Sequence, residues 1–580
     1  MTATEGRRGP GSSIGPALAL GAMLLLITGV LGTWVAAQAG AKLSGRPLPP
    51  GNPVELVLSL VSGDYAWPGT AATAVAGTEL LLLALFVALA VRVFRGGAKR
   101  PAVDRAAGRL GRGRDLDRLD ARRASATAAR LGAKGGSPGV FIGRSVPGGR
   151  PLYGSWEDMH VDIWGPRTGK TTRRAVPAIL DAPGSVLVTS NKRDIVDATR
   201  GPREQQGPVW VFDPQGRAEE PASWWWDPLS YVTDVARARK LAAHFAAGSR
   251  DAGAKTDAFF DPAGQDLLSG LLLAAATDRR PITQVYLWLT RPKDDEPERI
   301  LREAGHLLTA DSVAGVVNAP EKQRGGIYGT AMQMASCLIN PAVHPWITPG
   351  RGPARPAFDP HEFVRDGGTL YSLSREGKDS AGPLVTALTV AVVEAAEELA
   401  TGMPGGRLTV PLLGVLDEAA NVCRWNDLPD LYSHYGSRGI ILMTILQSWA
   451  QGQEVWGEKG MDKLWSASNI RVYGGGVVDT KFLGDLSQLA GEFEALTVST
   501  SRNHGGQQGS GLFGQGSSSR STRRERILDV ADLAAMPPGR ALVLASGTKP
   551  ALVATVPWWE GPHAEAVKQS LATYDPGARR

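Results

Sequence analysis

The spacing of hydrophobic and polar positions divides the chain into segments of different character. No ionisable residue occurs from Gly9 to Ala41, a run containing ALALGAMLLLITGVLGTWVAA. A second apolar run, AATAVAGTELLLLALFVALAVRVF, fills residues 71–94 with one acid, Glu79. Both reach the roughly 20 residues that a helix needs to cross a bilayer. The pattern predicts spanning helices over about 15–40 and 71–94, a hairpin anchor within residues 1–95. A cleaved signal peptide is the alternative for the first run, but the apolar core is long for one. Arg7 and Arg8 precede the first helix, and Arg92, Arg95, Lys99 and Arg100 follow the second, whereas the Pro-rich loop between them holds only Lys42 and Arg46. The positive-inside rule then puts both termini in the cytoplasm of a plasma (inner) membrane protein, with the loop outside. Glu79, in the outer half of the second helix, either faces a protein neighbour or reaches the interface by tilt.

From residue 136 the apolar runs shorten and Gly/Pro turns separate them. SVLVT (185–189), VWVF (209–212), TLYSL (369–373), LLGVLD (412–417) and GIILMTI (439–445) are continuous apolar strands with room for helices between them. Such strands indicate a parallel sheet covered on both faces, an α/β domain over 136–234 and 346–580. Between the two parts, residues 235–345 keep helical spacing throughout (ARARKLAAHFAAGS, DLLSGLLLAAATD, PERILREAGHLL) and predict an all-α insertion. TSRNHGGQQGSGLFGQGSSSRSTRR (500–524) is too polar to pack and predicts a flexible Gly/Ser/Gln loop.

Charge and cysteines add little beyond this. The formal net charge is +6, concentrated between Arg95 and Lys134, where twelve Lys/Arg face four Asp. Residues 96–135 therefore predict a basic juxtamembrane linker held to anionic lipid headgroups, with a nucleic-acid patch as the alternative. Two cysteines, Cys337 and Cys423, allow neither a disulfide framework nor a metal cluster and fit a reducing compartment.

The candidate chemistry starts at VDIWGPRTGKTTRR. Counting back from Gly169-Lys170-Thr171, the first glycine of G-x-x-x-x-G-K-[ST] belongs at residue 164, which is Trp164; the glycine comes one later, at Gly165. A strand precedes this loop and a helix follows it. In a phosphate-binding loop, backbone N–H groups surround the phosphates, the lysine reaches the β/γ oxygens and the next hydroxyl binds Mg²⁺. Gly165, Pro166, Arg167, Thr168, Gly169, Lys170, Thr171 and Thr172 are the nucleotide-binding candidates on this reading, with Thr171 a metal ligand. PLLGVLDEAANV is an apolar strand ending in Asp417-Glu418. Such a site needs one carboxylate for Mg²⁺ and another to orient the attacking water; Asp417 suits the first role and Glu418 the second. The neighbouring strand ends in Gln447, a candidate γ-phosphate sensor.

Membrane hairpin, strand–loop–helix, SVLVTSNKRDIVDATR, VFDP, helical insertion, LDEAANV, RGIILMTILQSWAQ and ILDVADLAAMPPGRALVLASGTKPALV occur in one order. As a combination, from about residue 15 to 560, this resembles the TraG/TraD class of type IV coupling proteins. The resemblance implies a RecA-like P-loop ATPase core using ATP and Mg²⁺. It also implies a homo-hexameric motor that passes DNA, single-stranded and attached to a relaxase or other cargo, to the channel components of a type IV secretion system. Lys170 and Thr171 match the phosphate and Mg²⁺ ligands, Asp417 and Glu418 the acidic pair, Gln447 the sensor. Ser190-Asn191-Lys192 departs from the family's Asp-x-Lys by losing the acid. A trans-acting arginine is expected in such rings, and Arg438 and Arg471 are the candidates by position. Two other readings stand beside this one. An FtsK-like double-stranded DNA translocase would add a winged DNA-reading domain, and no stretch after residue 560 reads as one. A non-hydrolysing receptor for protein substrates would not need Lys170, Asp417 and Glu418.

Overall fold

The computed structural model describes residues 14–95, 101–133, 136–249, 257–350, 352–377, 380–501 and 517–577. These form two compact units that divide at residue 100.

In the first unit, helices Ile14–Ser44 and Thr70–Arg95 pack on each other, with a short helix, Pro53–Ser62, in the connection. Small residues allow the close approach: a Cβ on Gly40 would lie 2.3 Å from Ala72 Cβ. Glu79 faces the other helix, its Oε2 3.1 Å from where a Cβ on Gly32 would stand. The Pro-rich connection is tied down by Trp34 Nε1 donating to Pro50 O (3.0 Å) and Tyr65 OH to Pro47 O (3.0 Å). Arg7, Arg8, Lys99 and Arg100 lie outside the described residues. Among the described residues, no helix is long and apolar enough to cross a membrane.

The second unit is built on an eleven-stranded sheet. In chain order the strands are β1 (Val140–Val146), β2 (Pro151–Gly154), β3 (His160–Ile163), β4 (Val186–Ser190), β5 (Val209–Phe212), β6 (Thr369–Leu373), β7 (Leu412–Leu416), β8 (Ile440–Leu446), β9 (Ile470–Tyr473), β10 (Glu492–Ser501), β11 (Ser517–Arg526), β12 (Arg540–Ala545) and β13 (Ala551–Ala554). The spatial order is β2-β1-β13-β12-β9-β3-β8-β7-β4-β6-β5, with β10 and β11 paired separately. From β9 to β5 all neighbours are parallel; from β12 to β2 all are antiparallel. Side chains of the central strands alternate between two cores. On β8, Ile440, Leu442 and Leu446 enter one, and Ile441, Met443 and Ile445 the other. A strand buried on both faces has no polar face, so these segments read as unbroken apolar runs.

Between β5 and β6 the described residues are helical, from Val235–Gly248 to His344–Ile347, around the long helix Phe260–Thr277. Aromatic rings seat this block on the edge strand β5: Phe212 meets Trp346 at 5.6 Å between centroids, and Trp224 meets Trp346 at 5.8 Å.

Two segments differ from the sequence expectation. Residues 101–133 are not a free basic linker. Val103, Leu110, Leu116 and Leu119 are buried, and the charges pair within the domain: Asp104 with Arg540 (2.8 and 2.9 Å), Arg118 with Asp158 (2.8 Å), and Asp117 and Asp120 with Arg150 (2.9 and 2.5 Å). Three of the four aspartates that net charge treats as minor corrections, together with Arg118, dock the segment, and the fourth, Asp115, pairs with Lys549 (3.2 Å). Of the Gly/Ser/Gln stretch, Ser517–Arg526 forms β11, antiparallel to β10 from Glu492↔Arg526 to Ser501↔Ser517. Backbone pairing needs no apolar side chains, so composition hides it. Residues 502–516 lie outside the described residues.

The strand leading into the Gly-Lys-Thr loop is locked to the helix after it by buried charge. Arg174 and Asp162 are fully inaccessible; Arg174 Nε donates to Asp162 Oδ2 at 2.6 Å and Nη2 to Oδ1 at 3.2 Å. Arg174 Nη1 donates to Phe141 O on β1 (2.5 Å), and Nη2 lies 3.3 Å from His160 Nδ1. Burial, reinforced by Arg174, holds His160 well below its ordinary pKa, so its neutral ring accepts this contact. Removing one partner of a buried pair strands the other's charge. Arg174→Ala is therefore expected to cost about 3–5 kcal/mol. In denaturant melts, Arg174→Ala/Asp162→Ala should recover part of that loss, and a single mutant with an unchanged midpoint would rule the lock out.

Candidate nucleotide site

Parallel pairing puts the carboxyl ends of β3, β8 and β7 side by side, where open α/β sheets carry their ligands. The loop 164–170 leaves β3, Gln447 follows β8 and Asp417-Glu418 follow β7. Because β8 lies between the other two strands, Gln447 stands between the loop and the acids.

Trp164 occupies the position where the strict motif has glycine, and it does so by pointing inward. Its side chain is fully buried, its indole N–H lies 3.3 Å from Asp162 Oδ2, and its ring lies 2.1 Å from where a Cβ on Gly474 would stand. Gly165 meets the requirement for a bare backbone: an added Cβ would lie 1.9 Å from Gly476 O, and Gly165 N donates to Gly475 O (2.9 Å). The loop therefore rests on the triple glycine Gly474-Gly475-Gly476 after β9. Pro166 and Arg167 are exposed, and Arg167 has φ 61°. Thr168 Oγ1 closes the turn on Gly165 O (2.6 Å), and Gly169, at φ 92°, leads into Lys170. Thr171 opens a π turn, Thr171–Ala175, ahead of the helix Val176–Asp181, and Thr172 Oγ1 donates to Gly169 O (3.2 Å).

Lys170 Nζ contacts Glu418 Oε1 and lies 3.1 Å from Asp417 Oδ1. Burial pulls the lysine pKa down, but the two carboxylates outweigh it and hold the pKa above its ordinary value. Burial lifts the Asp417 pKa to about 6, against the attraction of Lys170. Glu418 sits at φ 55°, ψ 40°, a left-handed conformation that costs a non-glycine residue about 1–3 kcal/mol and turns its carboxylate toward the loop. Gln447 Nε2 donates to both Glu418 oxygens (2.6 and 2.7 Å), and Asn421 Nδ2 approaches Oε2 (3.3 Å). Thr189 Oγ1 donates to Asp417 O (3.1 Å), fixing the acid from β4.

Among the described residues, no group of three or more His, Cys, Asp or Glu stands ready for a metal. Magnesium bound through phosphates needs only one or two protein ligands. Asp417 fits that need, since its buried Oδ1 has the Lys170 ammonium, 3.1 Å away, as its one partner among the described residues. The half-buried Thr171 follows Lys170 directly.

The two arginine candidates are held within their own chain. Arg438 Nη1 donates to Thr401 Oγ1 (2.7 Å) with Glu397 3.7 Å from Nε, and Arg471 donates to the carbonyls of Trp465 (2.6 Å) and Ser466 (3.1 Å). Lys192 is exposed, while Asn191 Nδ2 donates to Glu376 Oε1 (2.5 Å). Sequence reasoning missed Asn421 and Gly474–Gly476. A run of three glycines directly after a strand was the available sign of close backbone approach.

Residues 411–538 match the family model described as the TraM recognition site of TraD and TraG. No curated protein matches. Among solved structures, the bacterial conjugative coupling protein TrwBΔN70, in its unbound monoclinic form, aligns with 72% of this chain and 88% of its own, at 19% identity and a TM-score of 0.50. Two other similar structures are the plasmid coupling protein TrwB with ADP and Mg²⁺ (17% identity, 72% and 89% covered, TM-score 0.48) and with the ATP analogue ADPNP (18%, 72% and 89%, 0.48). At these identities the likeness is one of fold: α/β with a mostly parallel sheet.

Restoring the strict motif should therefore damage the site. Trp164→Gly is expected to lose about 3–5 kcal/mol of stability through the cavity it opens. Gly165→Ala should weaken binding of a fluorescent ATP analogue at least tenfold, since the backbone contact with Gly476 must open. Thermal melts and binding titrations check the pair, and a Trp164→Gly protein as stable as the parent would refute the inward packing.

Proposed function

We propose that the chain is a membrane-anchored, RecA-like ATPase that couples ATP hydrolysis to movement of DNA, single-stranded and attached to a relaxase or other cargo, into a type IV secretion channel. The observation that carries this is the convergence of Lys170, Asp417, Glu418 and Gln447 at one edge of the parallel sheet, beside a loop whose glycines leave its backbone bare. The family match over 411–538 and the TrwB-like fold support the conjugative assignment. The uncharged run 9–41 and the apolar run 71–94, whose only charged residues are Glu79 and Arg92, support the anchor.

In this reading, arriving phosphates draw Lys170 away from Glu418, and the lysine charge then compensates theirs. Asp417 and Thr171 would hold Mg²⁺, which when bound would supply charge neutralisation at the phosphates. Freed of the ammonium, Glu418 accepts the proton of the attacking water at a carboxylate oxygen. Gln447 and Asn421 hold that carboxylate in place. Hydrolysis in a ring of six copies moves a strand through phosphate-directed contacts, since a motor that translocates cannot depend on base identity.

ATP turnover by the purified full chain, with and without single-stranded DNA, tests the proposal. Lys170→Ala should lose nucleotide affinity and turnover together. Glu418→Gln should keep binding while turnover drops by about 10²–10⁴. Turnover unchanged in both variants would overturn the assignment, and hydrolysis indifferent to DNA would favour a receptor for protein substrates. For the anchor, alkaline extraction should leave the full chain in the membrane pellet and release a chain lacking residues 1–95.

A further inference from the structure

A cleft of about 1090 Å³ opens between β1, β2, the end of the helix Val176–Asp181 and residues 556–563. None of the nucleotide-site residues lines it; the helix Val176–Asp181 reaches it through Pro177, Leu180 and Asp181. Three rings form its aromatic surface: Phe141 and Tyr153, with centroids 5.5 Å apart at 59°, and Trp558. Six prolines complete the lining.

The polar groups around these rings are donors and acids. The Tyr153 hydroxyl and the Trp558 indole N–H have no hydrogen-bond partner among the described residues. Gln206 has its oxygen taken by Arg203 (2.5 Å), which leaves its amide N–H₂ to donate. Two carboxylates line the cleft, Asp181, paired with His563 at 2.8 Å, and the exposed Glu560, against a single guanidinium, Arg144. That balance disfavours phosphate-bearing ligands, nucleic acid and anionic lipid included.

Flat rings beside unpartnered donors and acids suit one kind of ligand. A polyproline II segment presents prolyl rings that lie against aromatic faces. Its backbone carbonyls, with no internal hydrogen bonds, accept from groups such as the tyrosine hydroxyl and indole N–H. Carboxylates at the edge take a flanking cation. We propose that this cleft binds a proline-rich, extended segment of a partner protein with an arginine or lysine beside the prolines.

The test uses the full chain in detergent without nucleotide, so that its outcome is separate from that of the ATPase assay. The probe is an arrayed library of x-Pro-x-x-Pro dodecapeptides with Arg, Lys or Ala at the flank, with hits measured by fluorescence anisotropy. Saturable hits should weaken about tenfold when their prolines become alanine, and by a similar factor in Tyr153→Ala and Trp558→Ala, as loss of an aromatic anchor entails. Glu560→Lys, at an exposed position that leaves the fold alone, should weaken peptides with a basic flank and spare those with an alanine flank. The proposal is overturned if no library member binds below about 1 mM, or if binding ignores proline content. Binding indifferent to both Trp558 and Glu560 overturns it as well.

Discussion

Three charges meet in a space that water scarcely reaches: one ammonium, on Lys170, and two carboxylates, on Asp417 and Glu418. Burying any one of them alone would be prohibitive, so each depends on the others, and the trio carries a net negative charge. Asp417 shows the cost, held reluctant to ionise even with the lysine 3.1 Å away. In the proposed function a bound cation would offset the imbalance, and a phosphate chain would give the lysine a new partner. Much of the surrounding architecture sets the geometry of these groups: β8 between β3 and β7, the left-handed turn at Glu418, and the amides of Gln447 and Asn421.

The loop that presents Lys170 is held by backbone as much as by side chains. Gly165 lies against Gly475 and Gly476, and Trp164 packs beneath it against Gly474. On the other side, Arg174 ties the following helix to β3 and β1 through a fully buried ion pair. The loop is thus clamped from β9 on one side and from its own helix on the other. Such preorganisation lets donors meet charge without rearranging.

How much of this was legible depended on how local the cause was. The central strands were, because burial on both faces leaves an unbroken apolar run such as GIILMTI. Lys170, Asp417, Glu418 and Gln447 were, because each follows directly on such a strand or on its loop. The docking of residues 101–133 was not: it rests on Asp104 reaching Arg540, 436 residues away, which no local pattern reports. Nor was the β10–β11 pairing, where the backbone supplies the bonds and the side chains are largely polar. Asn421 was passed over because it is one of several small polar residues near a turn, and only its distance to Glu418 separates it from the rest.

The π turn at Thr171–Ala175 bears on a question of counting. Bonds from i to i+5 take up roughly one residue more per turn than an α-helix does. The loop ahead of it, measured from Gly165, is one residue shorter than the usual pattern. Shortening and lengthening fall on either side of Lys170. A motif of fixed length therefore fails at Trp164, where this loop is one residue short.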